Sequence, residues 1–136
     1  NDSMPGYVVD RVAGLIGGLQ GKRVLIMGLT FRPDVAVTFH TNAVDLLREF
    51  ESRGAIVRGH DALLTEDGVR ELGFEPAGES LAGFDVAVVH ANHKKYAGLN
   101  WSAIAPLIVD ARNALDRTAV ESAGSRYLGV GRPATA

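Results

Sequence analysis

Three segments of the sequence carry arginine, lysine and aromatic side chains in a combination that suits a phosphorylated ligand. These segments are residues 28–34, 90–96 and 110–113. A guanidinium group such as that of Arg32 or Arg112 can grip phosphate oxygens with paired hydrogen bonds, while the ring of Phe31 or Tyr96 can stack on a base. The simpler interpretation is that the charged side chains are solvated and that Phe31 lies in the core, since exposed loops usually carry charged residues whether or not they bind a ligand.

The sequence lacks the glycine-rich motifs that hold dinucleotides or triphosphates. Only Gly28 of a dinucleotide fingerprint follows the first predicted strand, because Thr30 and Phe31 stand where further glycines would begin. The glycines before Lys22 precede that strand and no Ser or Thr follows the lysine, which excludes a P-loop. We therefore expect this chain not to bind NAD in the usual Rossmann manner.

Histidine and aspartate residues do not form a metal or catalytic motif. His90 and His93 have a spacing that some metal sites use, but His40 and His60 show no pattern with them and no carboxylate cluster completes a set. Asp110 could act as a general acid or base, although an aspartate that ends a strand more often orders its own loop by hydrogen bonds. We predict no metal site and no catalytic residue in this chain.

Composition and charge narrow the range of partners. The chain has 136 residues, of which 14 are basic and 16 acidic, so its net charge of −2 draws it neither to nucleic acid nor to anionic lipid. The absence of cysteine removes disulfides, thiolate metal sites and cysteine nucleophiles, and it fits a reducing cytoplasm. No apolar run approaches the roughly 20 residues of a membrane helix, so we expect a soluble chain with one core. The first residue is not methionine, and we expect a piece of a longer protein.

Helical and strand patterns alternate along the chain and must position the three segments. Apolar residues recur at helical spacing from Met4 to Leu19, whereas residues 22–28 form an apolar run typical of a strand buried on both faces. Further helices are predicted from residue 43 up to Gly54, over 65–72 and over 101–105, and further strands over 55–59, 84–90, 106–110 and 127–130. This alternation predicts a three-layer α/β/α, Rossmann-like fold around a mostly parallel sheet of about five strands.

Four motifs occur in a characteristic order. They are residues 1–5 before the first helix, residues 21–24 leading into the first strand, the run Gly-Leu-Thr-Phe-Arg-Pro-Asp-Val at 28–35, and the run Asp-Ala-Arg-Asn at 110–113. Together they resemble the C-terminal domain of the UDP-glucose/GDP-mannose dehydrogenase family, and residues 91–96 look most like the branch that oxidises UDP-N-acetylhexosamines. The resemblance implies that residues 1–20 end a linking helix, that 21–131 form a nucleotide-sugar-binding domain, and that 132–136 are a tail.

The resemblance also implies a function. Members of this family are NAD-dependent UDP-sugar 6-dehydrogenases, which oxidise the sugar C6 alcohol to a carboxylate through a thiohemiacetal on cysteine and so make polysaccharide precursors. In such proteins an N-terminal domain binds NAD, a central helical segment forms a homodimer, and this domain supplies part of the pocket for a UDP-sugar or GDP-sugar. By position, Phe31 and Arg32 are implied to meet the nucleotide and its phosphates, and Arg112 to reach the bound nucleotide sugar. A chain without cysteine and without the NAD domain is expected to be inactive alone.

One stretch departs from the family pattern. The family usually has Asp-x-Arg-x-Ser-Pro where this chain has residues 37–42, so Val37 and Phe39 stand in place of two charged residues. The family arginine contacts the pyrophosphate of the cofactor, a task in which Phe39 cannot replace a guanidinium. Two interpretations follow: either the parent enzyme holds NAD differently, or the chain is a non-catalytic nucleotide-sugar-binding or partner-binding module derived from the family.

The predicted site needs residues that are distant along the chain to meet. Arg32 follows the first predicted strand and Arg112 the fourth, and a parallel sheet places both at the same edge, on neighbouring strands if the family's strand order holds. The opposing interpretation is that Arg112 pairs with Asp110 or Asp34 only to fix its loop.

Overall fold

Helices and strands alternate through the whole of the described chain. The computed structural model describes residues 4–38 and 41–130. The helices are α1 (Met4–Ile16), α2 (Ala43–Ser52), α3 (Glu66–Glu71), α4 (Trp101–Ile104) and α5 (Arg117–Ser122). The strands are β1 (Arg23–Met27), β2 (Ile56–His60), β3 (Val86–Val89), β4 (Leu107–Asp110) and β5 (Arg126–Gly129). A 3₁₀ turn at Lys94–Tyr96 follows β3.

The strands form one parallel sheet in the order β2–β1–β3–β4–β5. Val24 of β1 lies opposite Val57 of β2 and Val86 of β3, while Leu107 of β4 lies opposite Val86 on one side and Arg126 of β5 on the other. All five strands therefore end along the same side of the sheet, which we call the carboxyl edge. The order also shows that β3 separates β1 from β4, so the expectation that these two strands are neighbours is wrong.

Apolar side chains cover both faces of the sheet and divide the core into two layers. Along β1, Val24 and Ile26 pack in the same cluster as residues of α1 and α2, whereas Leu25 and Met27 pack in the same cluster as residues of α4 and α5. All four side chains are fully buried. Burial on both faces explains why the strands occur in the sequence as continuous apolar runs. The arrangement confirms the predicted three-layer α/β/α, Rossmann-like fold.

The first helix ends earlier than its apolar pattern predicts. α1 stops at Ile16 rather than Leu19, because Gly17 and Gly18 adopt φ angles of 77° and 109° that a helix does not allow. At 13 residues α1 is too short to cross a lipid bilayer, and the other helices in residues 4–38 and 41–130 do not qualify either.

α1 covers one face of the sheet through buried valines. These side chains, almost fully buried in the same cluster as those of α2, are Val8, Val9 and Val12. The division of the chain at residue 20, between a linking helix and a binding domain, stays a prediction. The predicted tail at 132–136 lies outside the described residues.

The last helix is one that the sequence patterns do not predict. α5 has six residues, and among them only Val120 is buried. One apolar contact gives no periodicity, so the helix has no signal of the kind that identifies α1 or α2. Its start is fixed by Asp116, whose side chain accepts a hydrogen bond from the N–H of Ala119 at 3.3 Å.

Gly28 provides a test of how closely the loops at the carboxyl edge approach one another. It follows β1 with a φ of 77°, and a Cβ at this position would overlap the carbonyl oxygen of Ala91. We expect Gly28→Ala to lower the free energy of unfolding by about 3 kcal/mol or more, because a disfavoured φ is combined with a collision against the backbone.

Gly17→Ala is the matched control for this substitution. Gly17 has the same φ of 77°, but an added Cβ would meet no atom within 4 Å. Its cost should therefore be that of the backbone conformation alone, about 1–2 kcal/mol. Urea denaturation of both variants measures the difference, and equal losses would show that the approach of Gly28 to Ala91 does not constrain the fold.

Candidate functional site

Polar side chains from four adjacent strands meet at the carboxyl edge. Thr30 follows β1, Asp61 follows β2, His90 and His93 follow β3, and Arg112 follows β4. The first four of these are at most 3% exposed. Buried polar groups require hydrogen-bond partners, and the partners found here define the geometry of the edge.

The Asp61 carboxylate is the centre of this cluster and accepts four hydrogen bonds. Its Oδ2 accepts from the N–H groups of Leu29 and Thr30 at 2.6 and 3.2 Å, and from Nε2 of His93 at 2.9 Å. Its Oδ1 accepts from the N–H of Leu63 at 2.7 Å. These donors replace the water that a buried carboxylate loses. Asp61 therefore fixes the start of the loop after β1 against the loops after β2 and β3.

His93 holds the far part of the same loop. Its Nδ1 accepts a hydrogen bond from the N–H of Asp34 at 2.9 Å, so the ring proton lies on Nε2 and the imidazole is neutral. The side chain of Asp34 in turn accepts from the N–H of Lys94 at 2.8 Å. These two contacts stabilise Asp34 at a φ of 61°, which is uncommon outside glycine. The loop over residues 29–34 is thus fixed at both ends.

Phe31 and Arg32 lie at the exposed tip of this loop. Phe31 is 42% exposed, so the interpretation that it belongs to the core is wrong. The Arg32 guanidinium lies over the ring of Phe31, with Cζ 5.9 Å from the ring centroid, within the range of a cation–π contact. Behind them, the hydroxyl of Thr30 donates to the carbonyl of Arg32 at 3.0 Å and the N–H of Phe31 donates to the carbonyl of Val37 at 2.6 Å. The backbone is held while both side chains face solvent.

Arg112 lies further along the carboxyl edge and contacts His90. Its Nη2 donates to Nε2 of His90 at 3.0 Å, while Nδ1 of His90 donates to the carbonyl oxygen of Gly28 at 2.9 Å. Burial, reinforced by the charge of Arg112, lowers the pKa of His90 to about 4 and keeps the ring neutral at pH 7. Within the described residues Arg112 forms no ion pair. The interpretation that it pairs with Asp110 or Asp34 is therefore wrong.

Asp110 orders the loop after β4. Its Oδ1 accepts from the N–H of Ala114 at 2.9 Å, and its Oδ2 accepts from the N–H of Leu115 at 2.9 Å and from the hydroxyl of Tyr127 at 2.7 Å. The side chain is 1% exposed. These contacts give Asp110 the loop-ordering role expected of an aspartate at a strand end.

Tyr96 is part of the core beside the site. It is 2% exposed, so its ring cannot stack on a ligand at the surface. Its hydroxyl lies 2.9 Å from Nδ1 of His60, and burial raises the pKa of Tyr96 while it lowers that of His60. Both side chains are thus neutral at pH 7, and the ring of Tyr96 packs beside that of His93 with 5.6 Å between the ring centroids.

The structure brings the predicted site residues to one edge and adds residues that no motif identifies. Asp61 is absent from the sequence prediction, and His90 enters it only as a member of the segment 90–96 and as a rejected metal ligand, because the roles of both arise from contacts between strands far apart in the chain. The only signal for Asp61 is its position directly after a strand. Among the described residues, no group of three or more His, Cys, Asp or Glu could hold a metal ion. Phe39, part of the departure from the family pattern, lies outside the described residues.

Comparison with known sequences decides the family. Residues 25–117 match the model described as UDP-glucose/GDP-mannose dehydrogenase family, UDP binding domain. The chain belongs to this family. The matched residues include the loop after β1 and Arg112, so the carboxyl edge described above is part of the UDP-binding domain.

Relatives of this UDP-binding domain are longer proteins. The chain is 27% identical over 143 residues to a UDP-glucose 6-dehydrogenase of Rickettsia typhi, covering 96% of the chain and 33% of that protein. A UDP-glucose dehydrogenase structure from the archaeon Pyrobaculum islandicum matches with a TM-score of 0.79 and 26% identity, over 98% of this chain and 31% of the other. A UDP-N-acetyl-mannosamine dehydrogenase from Staphylococcus aureus shares the fold, with a TM-score of 0.71 and 22% identity over 97% of this chain and 32% of the other. The UDP-binding domain thus spans about a third of the length of these relatives.

The neutral state of His90 makes the stability of the UDP-binding domain depend on pH. Histidine in the unfolded chain has a pKa near 6.5, whereas burial lowers that of His90 to about 4. Between these values the unfolded state binds more protons, so the free energy of unfolding rises with pH. We expect His90 to account for a loss of about 2–3 kcal/mol as the pH falls from 6.5 to 4.

His90→Gln isolates this contribution from those of the carboxylates. A glutamine amide can donate to Gly28 and accept from Arg112 without titrating. Urea denaturation at steps between pH 4 and pH 7 should give a shallower pH dependence for the variant than for the wild type. Parallel curves for the two proteins would contradict a neutral, buried His90.

Asp61→Asn tests whether the carboxylate holds the loops together. The amide of asparagine would place an NH₂ group against N–H groups that now donate hydrogen bonds to the carboxylate, so these donors would lose their acceptor. We therefore expect a loss of about 3 kcal/mol or more in the free energy of unfolding. Asp67→Asn is the control, because the Asp67 side chain is 89% exposed and forms only a surface pair with Arg70. The control should change stability by less than about 1 kcal/mol in chemical denaturation. A similar effect of both substitutions would rule out a central role for Asp61.

Proposed function

We propose that this chain is the nucleotide-sugar-binding part of an NAD-dependent UDP-sugar 6-dehydrogenase. The full-length protein would oxidise the C6 alcohol of the sugar to a carboxylate and so supply a precursor for polysaccharide synthesis. The family of the chain supports this proposal, as do relatives named UDP-glucose 6-dehydrogenase in Rickettsia typhi and Rhizobium meliloti. Because the chain spans about a third of their length, we assign NAD binding and homodimer formation to other parts of the full-length protein.

The observation that carries the proposal is an exposed aromatic–cation pair on a fixed loop. Phe31 and Arg32 face solvent, although the backbone on either side of them donates hydrogen bonds to the Asp61 carboxylate and to the His93 ring. Arg112 adds a second guanidinium at the same edge of the sheet. A base can stack on the ring while the two guanidinium groups meet the diphosphate, and a fixed backbone reduces the entropy lost on binding. In this proposal Phe31, Arg32 and Arg112 bind substrate.

The residues after β1 do not fit NAD. In a Rossmann site, the backbone N–H groups after the first strand face the pyrophosphate of the cofactor. Here the N–H groups of Leu29 and Thr30 donate hydrogen bonds to the Asp61 carboxylate and are not available to a pyrophosphate. The negative charge of that carboxylate would also repel a pyrophosphate. The chain also has no cysteine to form a thiohemiacetal. We therefore propose that the chain by itself is catalytically inactive.

A second candidate is a non-catalytic nucleotide-sugar-binding or partner-binding module of the same family. The observation in its favour is Val37, which is 44% exposed where the family pattern has a charged residue. Valine carries no charge, so it can form no ionic contact at this position. NAD reduction by the full-length protein in the presence of a UDP-sugar separates the two candidates, since only the enzyme would produce NADH.

We also propose a cytoplasmic homodimer as the working form of the full-length protein. This part of the protein has no disulfide, which is compatible with the reducing cytoplasm, and the cysteine that the full-length enzyme needs would lie elsewhere. The substrate is a nucleoside-diphosphate sugar, and the names of the relatives favour a UDP-sugar over a GDP-sugar.

Substitution of the two arginines tests the proposed site. Each guanidinium that meets a diphosphate contributes charge-assisted hydrogen bonds, so we expect Arg32→Ala and Arg112→Ala each to weaken UDP-sugar binding by about tenfold to a hundredfold. Calorimetry on the full-length protein measures the affinity, and Arg48→Ala, an exposed position within α2, is the control that should bind as the wild type does. Unchanged affinity in both site variants would show that this edge of the sheet does not bind the UDP-sugar.

A further inference from the structure

His90 occupies a central position between the two halves of the proposed site. It is 1% exposed, and both of its ring nitrogens are used. Nδ1 donates a hydrogen bond to the carbonyl oxygen of Gly28, and Nε2 accepts one from Arg112. Gly28 is the residue after β1 at which the loop toward Phe31 begins. One imidazole directly after β3 therefore bridges the gap between the residues that follow β1 and β4, which are not adjacent in the sheet.

The chemistry of this bridge allows only one tautomer. An arginine side chain can only donate, so Nε2 of His90 must accept, and a backbone carbonyl can only accept, so Nδ1 must carry the proton. The burial that lowers the pKa of His90 to about 4 keeps the ring in this neutral form at pH 7. The acceptor that Arg112 requires is thus present throughout the neutral pH range.

Arg112 gains from this contact an orientation that it would otherwise lack. Its side chain is exposed, and within the described residues no carboxylate forms an ion pair with it. The bond to His90 uses one of the five N–H donors of the guanidinium and leaves the others available. A long side chain held at one nitrogen loses less freedom when it binds a ligand than one that moves freely.

We propose that His90 is a positioning residue for nucleotide-sugar binding: anchored on Gly28, it holds the guanidinium of Arg112 toward the diphosphate. The inference rests on the proposed function, since it requires Arg112 to bind the ligand. It adds a residue whose side chain does not touch the ligand and which acts only through Arg112.

A double-mutant cycle on the full-length protein tests this role, with affinity for UDP-glucose measured by calorimetry. His90→Leu removes both hydrogen bonds and should weaken binding about fivefold to tenfold in the wild-type background. In the Arg112→Ala background the same substitution should have no further effect, because the group that His90 positions is already gone. In the Arg32→Ala background the full loss should persist, since Arg32 does not contact His90.

His90→Gln provides the conservative rescue. Its amide can reproduce the donor to Gly28 and the acceptor for Arg112, so binding should stay within about twofold of the wild type. His90→Ala gives a second loss-of-contact variant without new bulk, and circular dichroism and thermal unfolding verify that each variant is folded. The expected pattern is loss with Leu and Ala, rescue with Gln, and coupling to Arg112 alone.

Each other outcome has a distinct meaning. An equal loss from His90→Leu with and without Arg112 would overturn the proposal, because His90 would then act through the fold in general. Full affinity in His90→Leu and His90→Ala would overturn it as well. If Arg112→Ala binds UDP-glucose as tightly as the wild type, the proposed site itself fails and the role of His90 fails with it. If Arg112→Ala weakens binding but shows no coupling, only the role of His90 fails.

Discussion

A single buried carboxylate, that of Asp61, joins the three loops that carry most of the carboxyl edge. At 3% exposure it has lost nearly all of its water, and such a loss costs several kcal/mol unless protein donors replace the solvent. The four donors therefore have to remain in place together. They come from the loop after β1, the loop after β2 and the side chain of His93 after β3. The position of the loop that carries Phe31 and Arg32 follows from this requirement.

Burial separates the residues that build the edge from those that can meet a ligand. Among the described residues, no buried side-chain nitrogen or oxygen lacks a hydrogen-bond partner. The buried histidines and aspartates of the edge form hydrogen bonds within the protein, whereas Phe31, Arg32 and Arg112 remain at the surface. Cationic and aromatic side chains are thus exposed on a fixed backbone, and this preorganisation is the basis of the nucleoside-diphosphate site that we propose.

The fold resembles that of a dinucleotide-binding domain, but the same place in the fold is used differently. After β1, the backbone N–H groups of Leu29 and Thr30 point to a protein carboxylate instead of a cofactor pyrophosphate. The chain can thus share the Rossmann-like arrangement of strands without sharing its usual ligand site. In the site that we propose, the ligand still lies at the carboxyl edge of the sheet, and the exposed side chains there select it.

The sequence by itself determined the layers of the fold and the ligand-contacting candidates. Apolar runs buried on both faces, separated by glycine-marked turns, indicate a parallel sheet, because neighbouring residues along a strand must both find an apolar partner. Phe31, Arg32 and Arg112 could be proposed from the sequence because their types, their places after strands and the motifs around them are local properties, and their role in binding stays a prediction. The short α5 could not be predicted, since a single buried residue, Val120, produces no periodicity.

Only the tertiary structure decided how the strands are ordered and which side chains hold the site. Nothing local in the sequence places β3 between β1 and β4, or brings Asp61 within 2.9 Å of His93, a residue from another loop. Likewise, His90 is an ordinary strand-end residue in the sequence, and its contacts to Gly28 and Arg112 exist only once three strands are assembled. Hydrogen bonds between distant segments depend on three-dimensional distance, whereas sequence patterns record only spacing along the chain.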